Sequence, residues 1–217
     1  MNNNTARVLT LFLLLLSVSF ISGCNVVGWL AAPWGKDTEK IEYKAQYNKL
    51  HGKNIAVLVS ADQEILGQHS TALIQTSRAV SERIADNMPD VMVMNPTEVI
   101  KYQRENPYWY IAPYEEVLDG LGVDAVVIVN LSEFRTHEPG NKYQWQGVMA
   151  GSVTVADKSA LDPNDATFYQ TVRVEFPEGS KVGVLNSSEQ AIMLGMRSLF
   201  SRDAAGFFFD YSITKKK

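Results

Sequence analysis

Apolar residues along the chain fall into short blocks, and the spacing within each block predicts an element. Ile55-Ala56-Val57-Leu58-Val59 is a compact run behind Lys53-Asn54 and reads as a strand buried on both faces. From Ser70 to Met88 the period changes. Leu73, Ser77, Val80, Ile84 and Met88 recur every three or four residues, the stripe of an amphipathic helix that Pro89 ends. Val91–Met94 is a second strand. Asn95-Pro96-Thr97-Glu98 then opens a helix to about Glu105, with Asn95 as cap, Pro96 in the first turn and Glu98 reaching back. Upstream, Tyr43, Tyr47 and Leu50 suit one short helical stripe.

Pro107 and Pro113 forbid a continuous helix through the aromatic segment between them. Pro113 starts a short helix with Val117, Leu118 and Leu121 inward, and Gly122 suits its left-handed end. Val123–Leu131 is the strongest strand pattern in the chain. Beyond a turn at Glu138-Pro139-Gly140-Asn141, Tyr143–Val155 reads as one long strand, with Gly147 and Gly151 marking bulges or close packing. A loop from Asp157 to Asp165 leads to Thr167–Phe176, where Phe168, Gln170, Val172, Val174 and Phe176 alternate with Tyr169, Thr171, Arg173 and Glu175. Ser187 opens a final helix, Gln190 completes a capping box, and apolar positions continue through Phe200, Ala204, Phe207 and Tyr211. The order β-α-β-α-α-β then β-β-α predicts an α/β fold with an α+β tendency. Its mixed sheet has about five strands, the first three parallel and the last antiparallel, flanked by helices.

The pattern before residue 25 is of another kind. Arg7 is the only charge before an apolar run from Val8 to Ile21, too short to span a bilayer easily but of signal-peptide size. Ile21-Ser22-Gly23-Cys24 follows, ending in the chain's single cysteine. These four residues resemble a bacterial lipobox. The resemblance implies a signal peptide over 1–23 and acyl chains, such as palmitate, on Cys24, fastening the protein to a membrane. An ordinary signal peptide or a signal anchor holding a cysteine is the alternative. Asn25 in place of aspartate favours the outer over the inner membrane where the usual sorting rule applies. Residues 24–52 then read as a tether, in which Trp29 and Trp34 either sit at the membrane interface or pack on the domain. One domain is expected over 53–211, with a basic tail over 212–217 ending in Lys215-Lys216-Lys217, read as a solvated terminus.

Composition narrows the picture. A hydrophobic fraction of 46% suffices for a core, and a lone cysteine allows no internal disulfide. Twenty basic against 24 acidic side chains give a net charge of −4, which argues against nucleic acid as a partner.

Candidate chemistry is sparse. His51, His69 and His137 lie far apart without metal-binding spacing, so no metal and no cofactor is expected. Ser60, Asp62 and His69 occupy one strand-to-helix loop, where a hydrolase could assemble a nucleophile and base; a plain polar loop is the favoured reading. Glu115 and Glu116 complement a helix N-terminus. Tyr108, Trp109 and Tyr110 are the candidate partner-binding residues, either exposed as protein anchors or packed as a plug on the sheet.

The lipobox, the strand within GKNIAVLV and the run EEVLDGLGVDAVVIVNLSEF together resemble bacterial envelope lipoproteins with a TolB-amino-terminal-like or CsgG-like domain, the LpoB group among them. The resemblance covers roughly Lys53 to Tyr211 and implies a periplasm-facing adaptor or assembly accessory rather than an enzyme. Two long amphipathic hairpins of the pore-forming kind are not evident, because the alternation fails at Ala150-Gly151-Ser152. The expected function is a non-catalytic, membrane-anchored lipoprotein that binds an envelope protein. The alternatives are a homo-oligomeric export or assembly component and a periplasmic hydrolase using the Ser60–His69 loop.

Overall fold

A computed structural model describes residues 38–179 and 181–216. The segment 1–23, Cys24, Asn25, Trp29 and Trp34 lie outside the described residues. The strands are β1 (Thr38–Tyr43), β2 (Asn54–Ala61), β3 (Met92–Val93), β4 (Ala125–Arg135), β5 (Gln144–Trp145), β6 (Gly147–Asp157), β7 (Ala166–Phe176), β8 (Val182–Gly183) and β9 (Tyr211–Lys216). The helices are α1 (Gln63–Gln68), α2 (Ala72–Asn87), α3 (Pro96–Glu105), α4 (Tyr114–Leu121) and α5 (Glu189–Ala205), with a 3-10 turn at Trp109–Ile111. A compact unit spans Glu42–Tyr211; Thr38–Ile41 and Ser212–Lys216 fall in a second unit. β1 and β9 pair as a two-stranded sheet.

The main sheet has the order β3-β2-β4-β6-β7. β2 runs parallel to β3 and β4, whereas β4–β6 and β6–β7 are antiparallel, the mixed topology the sequence predicts. One face carries Val57, Val59, Val127, Val129, Val153, Val155, Val172 and Val174 into a core with Val80 and Ile84 of α2 and Ile192, Met196 and Phe200 of α5. Alternation along the strands sends the neighbouring residues to the other face. There Ala56, Leu58, Val126 and Ala156 meet Val99 of α3, Val117, Leu118 and Leu121 of α4, and Trp109.

Local signals explain most boundaries. The α2 stripe buries Ser77, Val80, Ile84 and Met88, and Ser77 satisfies its hydroxyl by donating to the Val57 carbonyl at 2.9 Å. Asn95 caps α3 by accepting from the Thr97 N–H at 2.9 Å. Gly122 ends α4 at φ +67°, a conformation open to glycine at little cost. Gly147 and Gly151 mark close packing. A Cβ on Gly147 would sit 2.6 Å from Ile192 Cγ2, and one on Gly151 would sit 2.5 Å from the Asn130 carbonyl oxygen. The register shifts lie instead on β4, between Leu131 and Glu133, and on β7, between Ala166 and Phe168.

Several expectations are corrected. The polar stretch after β2 holds α1, and β3 shrinks to two residues. The long strand expected over 143–155 is divided at Gln146, because β5 turns to pair with β8 while β6 pairs with β4. Ser188, not Ser187, caps the final helix, its Oγ accepting from the Ala191 N–H at 3.2 Å, so Gln190 falls one position short of a capping box. That helix stops at Ala205. The aromatic triplet Phe207-Phe208-Phe209 cannot share one helical face, and a turn from the Phe208 N–H to the Ala205 carbonyl places Phe208 in the core. Residues 211–216, expected as continuing helix and a loose tail, form β9. The Tyr43–Tyr47–Leu50 stripe is not a helix either. Tyr43 ends β1 and stacks on Tyr211 at 4.8 Å, while Tyr47 and Leu50 reach the core from irregular backbone.

Candidate functional site

The second face of the sheet is only half roofed. α3 and α4 cover its β2–β4 side, but toward β7 the face is open, with Tyr169 63% exposed and Thr171 and Arg173 exposed. Strand register dictates what stands at this boundary. Leu58, Ile128, Thr154 and Tyr169 align across β2, β4, β6 and β7; in the next row stand Ser60, Asn130, Ser152 and Thr171. Cross-strand partners project on one side, so on β2 and β4 the face changes from apolar to polar within two residues, and on β6 it carries a hydroxyl in both rows. In the row beyond, Glu133 and Arg173 flank Ala150.

A cleft of about 880 Å³ lies over this boundary. Its floor includes Ser60, Ile128, Asn130, Ser152, Thr154 and Tyr169. One wall is formed by Trp109, Tyr110, Tyr114 and, from α3, Gln103 and Arg104; the other by Asp62, Gln63 and Leu66 at the start of α1. The cleft thus meets the C-terminal end of parallel strand β2, where α/β folds commonly place ligands. The 3-10 turn positions the aromatic wall. Trp109 is buried at 8% exposure and pins the turn to the sheet, whereas Tyr108, Tyr110 and Ile111 are 70%, 62% and 71% exposed. In the aromatic segment one ring plugs the core and its neighbours face solvent. Trp109 and Tyr110 line the cleft; Tyr108 is exposed outside that lining.

The Ser60–Asp62–His69 loop does not assemble into a triad. The Ser60 hydroxyl donates to Asn130 Oδ1 at 3.3 Å, and the His69 ring packs on Phe134 with centroids 4.6 Å apart. His51 pairs with Asp90 at 2.9 Å, and His137 stacks on Trp145 at 4.2 Å. Among the described residues no group of three His, Cys, Asp or Glu side chains could hold a metal ion.

Two ion-paired clusters lie outside the cleft. Asp157, at the end of β6, is 1% exposed and accepts from Lys53 Nζ, from the Ser159 N–H (2.9 Å) and hydroxyl (2.7 Å), and from the Tyr47 hydroxyl (3.1 Å). Burial pushes its pKa up, but the Lys53 and Ser159 hydrogen bonds outweigh this and hold it below the usual carboxylate range. Ser159 and Lys53 are 3.2 Å apart, a nucleophile–base spacing, yet the ammonium is committed to Asp157. Glu133 accepts from Arg135 at 2.7 Å and from Arg173. Burial raises its pKa and the two guanidinium hydrogen bonds lower it further than that, leaving it depressed.

Sequence reasoning missed Asn130, Ser152, Thr154 and Tyr169. The one local signal was Asn130, an amide inside the otherwise aliphatic run Val126–Leu131.

No family model matches the chain, and no curated protein sequence does. Solved structures similar to it include the PelC dodecamer from Paraburkholderia phytofirmans, at 9% identity and TM-score 0.45 over 79% of this chain and 98% of that one. Lipoprotein GNA1162 from Neisseria meningitidis matches at 14% identity and TM-score 0.43, over 70% and 97% of the two chains. Protein CT253 from Chlamydia trachomatis matches at 15% identity and TM-score 0.44, over 70% and 92%. Likeness at this level transfers no ligand, partner or activity to this chain.

Proposed function

We propose that this protein is a bacterial envelope lipoprotein, acylated at Cys24, that works as a periplasm-facing binding adaptor rather than as an enzyme. The anchor reading rests on the apolar run closed by Ile21-Ser22-Gly23-Cys24. The observation that carries the binding reading is the solvent-facing trio Tyr108, Tyr110 and Ile111 around a buried Trp109. Exposed aromatics held on a fixed turn lose little entropy when a partner covers them, which is why such residues dominate protein contacts. The TolB/CsgG-like pattern between Lys53 and Tyr211 agrees with an adaptor role in the envelope, and the weak sorting signal at Asn25 favours the outer membrane.

A photo-reactive phenylalanine analogue at position 108, used in intact cells, tests the partner claim. The expected result is one discrete crosslinked envelope protein that disappears in a Tyr110→Ala, Ile111→Ala background. Crosslinks only to further copies of this chain would favour the homo-oligomeric assembly reading. No band above that from an exposed control position such as Lys101 would contradict partner binding through this turn.

A further inference from the structure

The cleft has a chemistry of its own, distinct from the rim at Tyr108. Its floor sets uncharged hydrogen-bonding groups (Ser60, Asn130, Ser152, Thr154 and Tyr169) in register across four strands, with apolar Ile128 among them. Within it Ser60 donates to Asn130 Oδ1. The Asn130 amide N–H groups and the Ser152 and Thr154 hydroxyls have no protein partner among the described residues. On the wall, Gln103 donates from Nε2 to the Val59 carbonyl at 2.9 Å, and its enclosed Oε1 has no donor among the described residues. Hydroxyls both donate and accept, so Ser152 and Thr154 put donors and acceptors on offer together. Beside them stand aromatic rings, with Tyr169 at the open edge and Tyr110 and Tyr114 on the wall.

Charge narrows the ligand. Asp62 and Arg104 are the charged side chains lining the cleft, one of each sign. An anion would find one guanidinium opposed by a carboxylate, and a cation the reverse. A purely apolar ligand would strip water from the floor without replacing its hydrogen bonds, at a cost of about 1–3 kcal/mol for each group sealed off. A peptide adding as an extended strand pairs its backbone at a sheet edge, and the cleft lies on a sheet face. A pyranose ring meets both surfaces at once. Its hydroxyls donate and accept along the floor, and its C–H face lies against an aromatic ring. The volume is within the range of about 300–1,000 Å³ typical of small-ligand sites.

We infer that this cleft is a binding site for a neutral oligosaccharide, with Asn130, Ser152 and Thr154 reading hydroxyls and Tyr169 stacking on a sugar face. The inference goes beyond the adaptor reading and depends neither on acylation nor on a protein partner. Tyr169 is a contact residue whose ring, not its hydroxyl, does the stacking.

Titration calorimetry on the full chain in a detergent without a sugar headgroup tests it. The probes are four-ring chito-, malto- and cello-oligosaccharides, an anionic galacturonate tetramer and an uncharged decapeptide. The expected result is saturable 1:1 binding of at least one neutral saccharide, weakened severalfold, up to about tenfold, by Tyr169→Ala. Ser152→Val should also weaken it, and Tyr169→Phe, which keeps the ring, should restore most of what Tyr169→Ala loses, while Tyr108→Ala, outside the cleft lining, leaves it unchanged. Circular dichroism checks that each variant stays folded; Tyr169 is exposed, so its replacement leaves the core intact. Failure of all three neutral saccharides to bind at concentrations up to about 10 mM overturns the inference, as does tighter binding of the galacturonate or the decapeptide. Binding that survives Tyr169→Ala undiminished overturns it too. Because Tyr108→Ala breaks the rim and spares the cleft, loss of the protein partner and loss of the sugar are read separately.

Discussion

Asp157 shows how one residue can bind distant parts of the chain. It joins the end of β6 to Lys53 ahead of β2 and to Tyr47, over separations of 104 and 110 residues. A carboxylate so enclosed is tolerable only while its acceptors are filled. Asp157→Asn removes the charge and weakens those hydrogen bonds, and urea denaturation at pH 7 should show a loss of about 2–3 kcal/mol. The pH dependence has a definite sign. The folded carboxyl titrates below its unfolded value, so its stabilisation is complete above about pH 4. It is lost as pH falls through the lower, folded pKa, and Asp157→Asn should flatten the acid limb of the stability curve. A curve of unchanged shape would show that Asp157 is not the linked group. The aromatic turn gives a second contrast between residues. Trp109→Ala empties a core site and should cost about 3–5 kcal/mol. Tyr108→Ala, one residue away, should stay within about 0.5 kcal/mol. Equal effects in thermal unfolding would contradict the division of labour assigned to this turn.

At the scale of elements, glycines set how closely layers approach. Gly147 admits Ile192 and Met196 of α5 against β6, and Gly151 admits the Asn130 carbonyl of the neighbouring strand. Alanine at either position should destabilise the protein by about 1–3 kcal/mol by overpacking, measured by chemical denaturation. The Gly151 effect should be the less relievable, because backbone rather than a side chain must move. The elements with strong periods were legible from sequence: α2 from its three-and-four spacing, β7 from its alternation, and α3 from Asn95-Pro96. Those decided by tertiary competition were not. Ser187 and Ser188 are both competent caps, and only the docking of α5 selects the second. Ile213 alternates too weakly among Ser212, Thr214 and the lysines to announce β9 without its partner β1. The cleft was the least legible part. Asn130, Ser152 and Tyr169 come together through pairing register across three strands, and no local pattern encodes which residues become neighbours that way. The Ser60–His69 proximity in sequence, by contrast, was legible and not realised, because Ser60 turns to Asn130.

For the whole molecule, a mixed α/β fold with one sheet face packed and the other half open leaves the cleft and the aromatic turn on the same side of the sheet. The roof of α3 and α4 ends where the strands turn polar, and the aromatic turn stands at that edge. Among the described residues no helix is long and apolar enough to cross a membrane. Membrane attachment through acyl chains on Cys24 is the part of the proposed function that rests on sequence alone. The most direct test is mass spectrometry of the amino-terminal peptide of the protein extracted from membranes of cells expressing the full chain. The account predicts a peptide beginning at Cys24 and carrying fatty acyl groups, with none acylated after Cys24→Ser. A peptide that retains residues 1–23, or begins elsewhere with Cys24 as a free thiol, would contradict it.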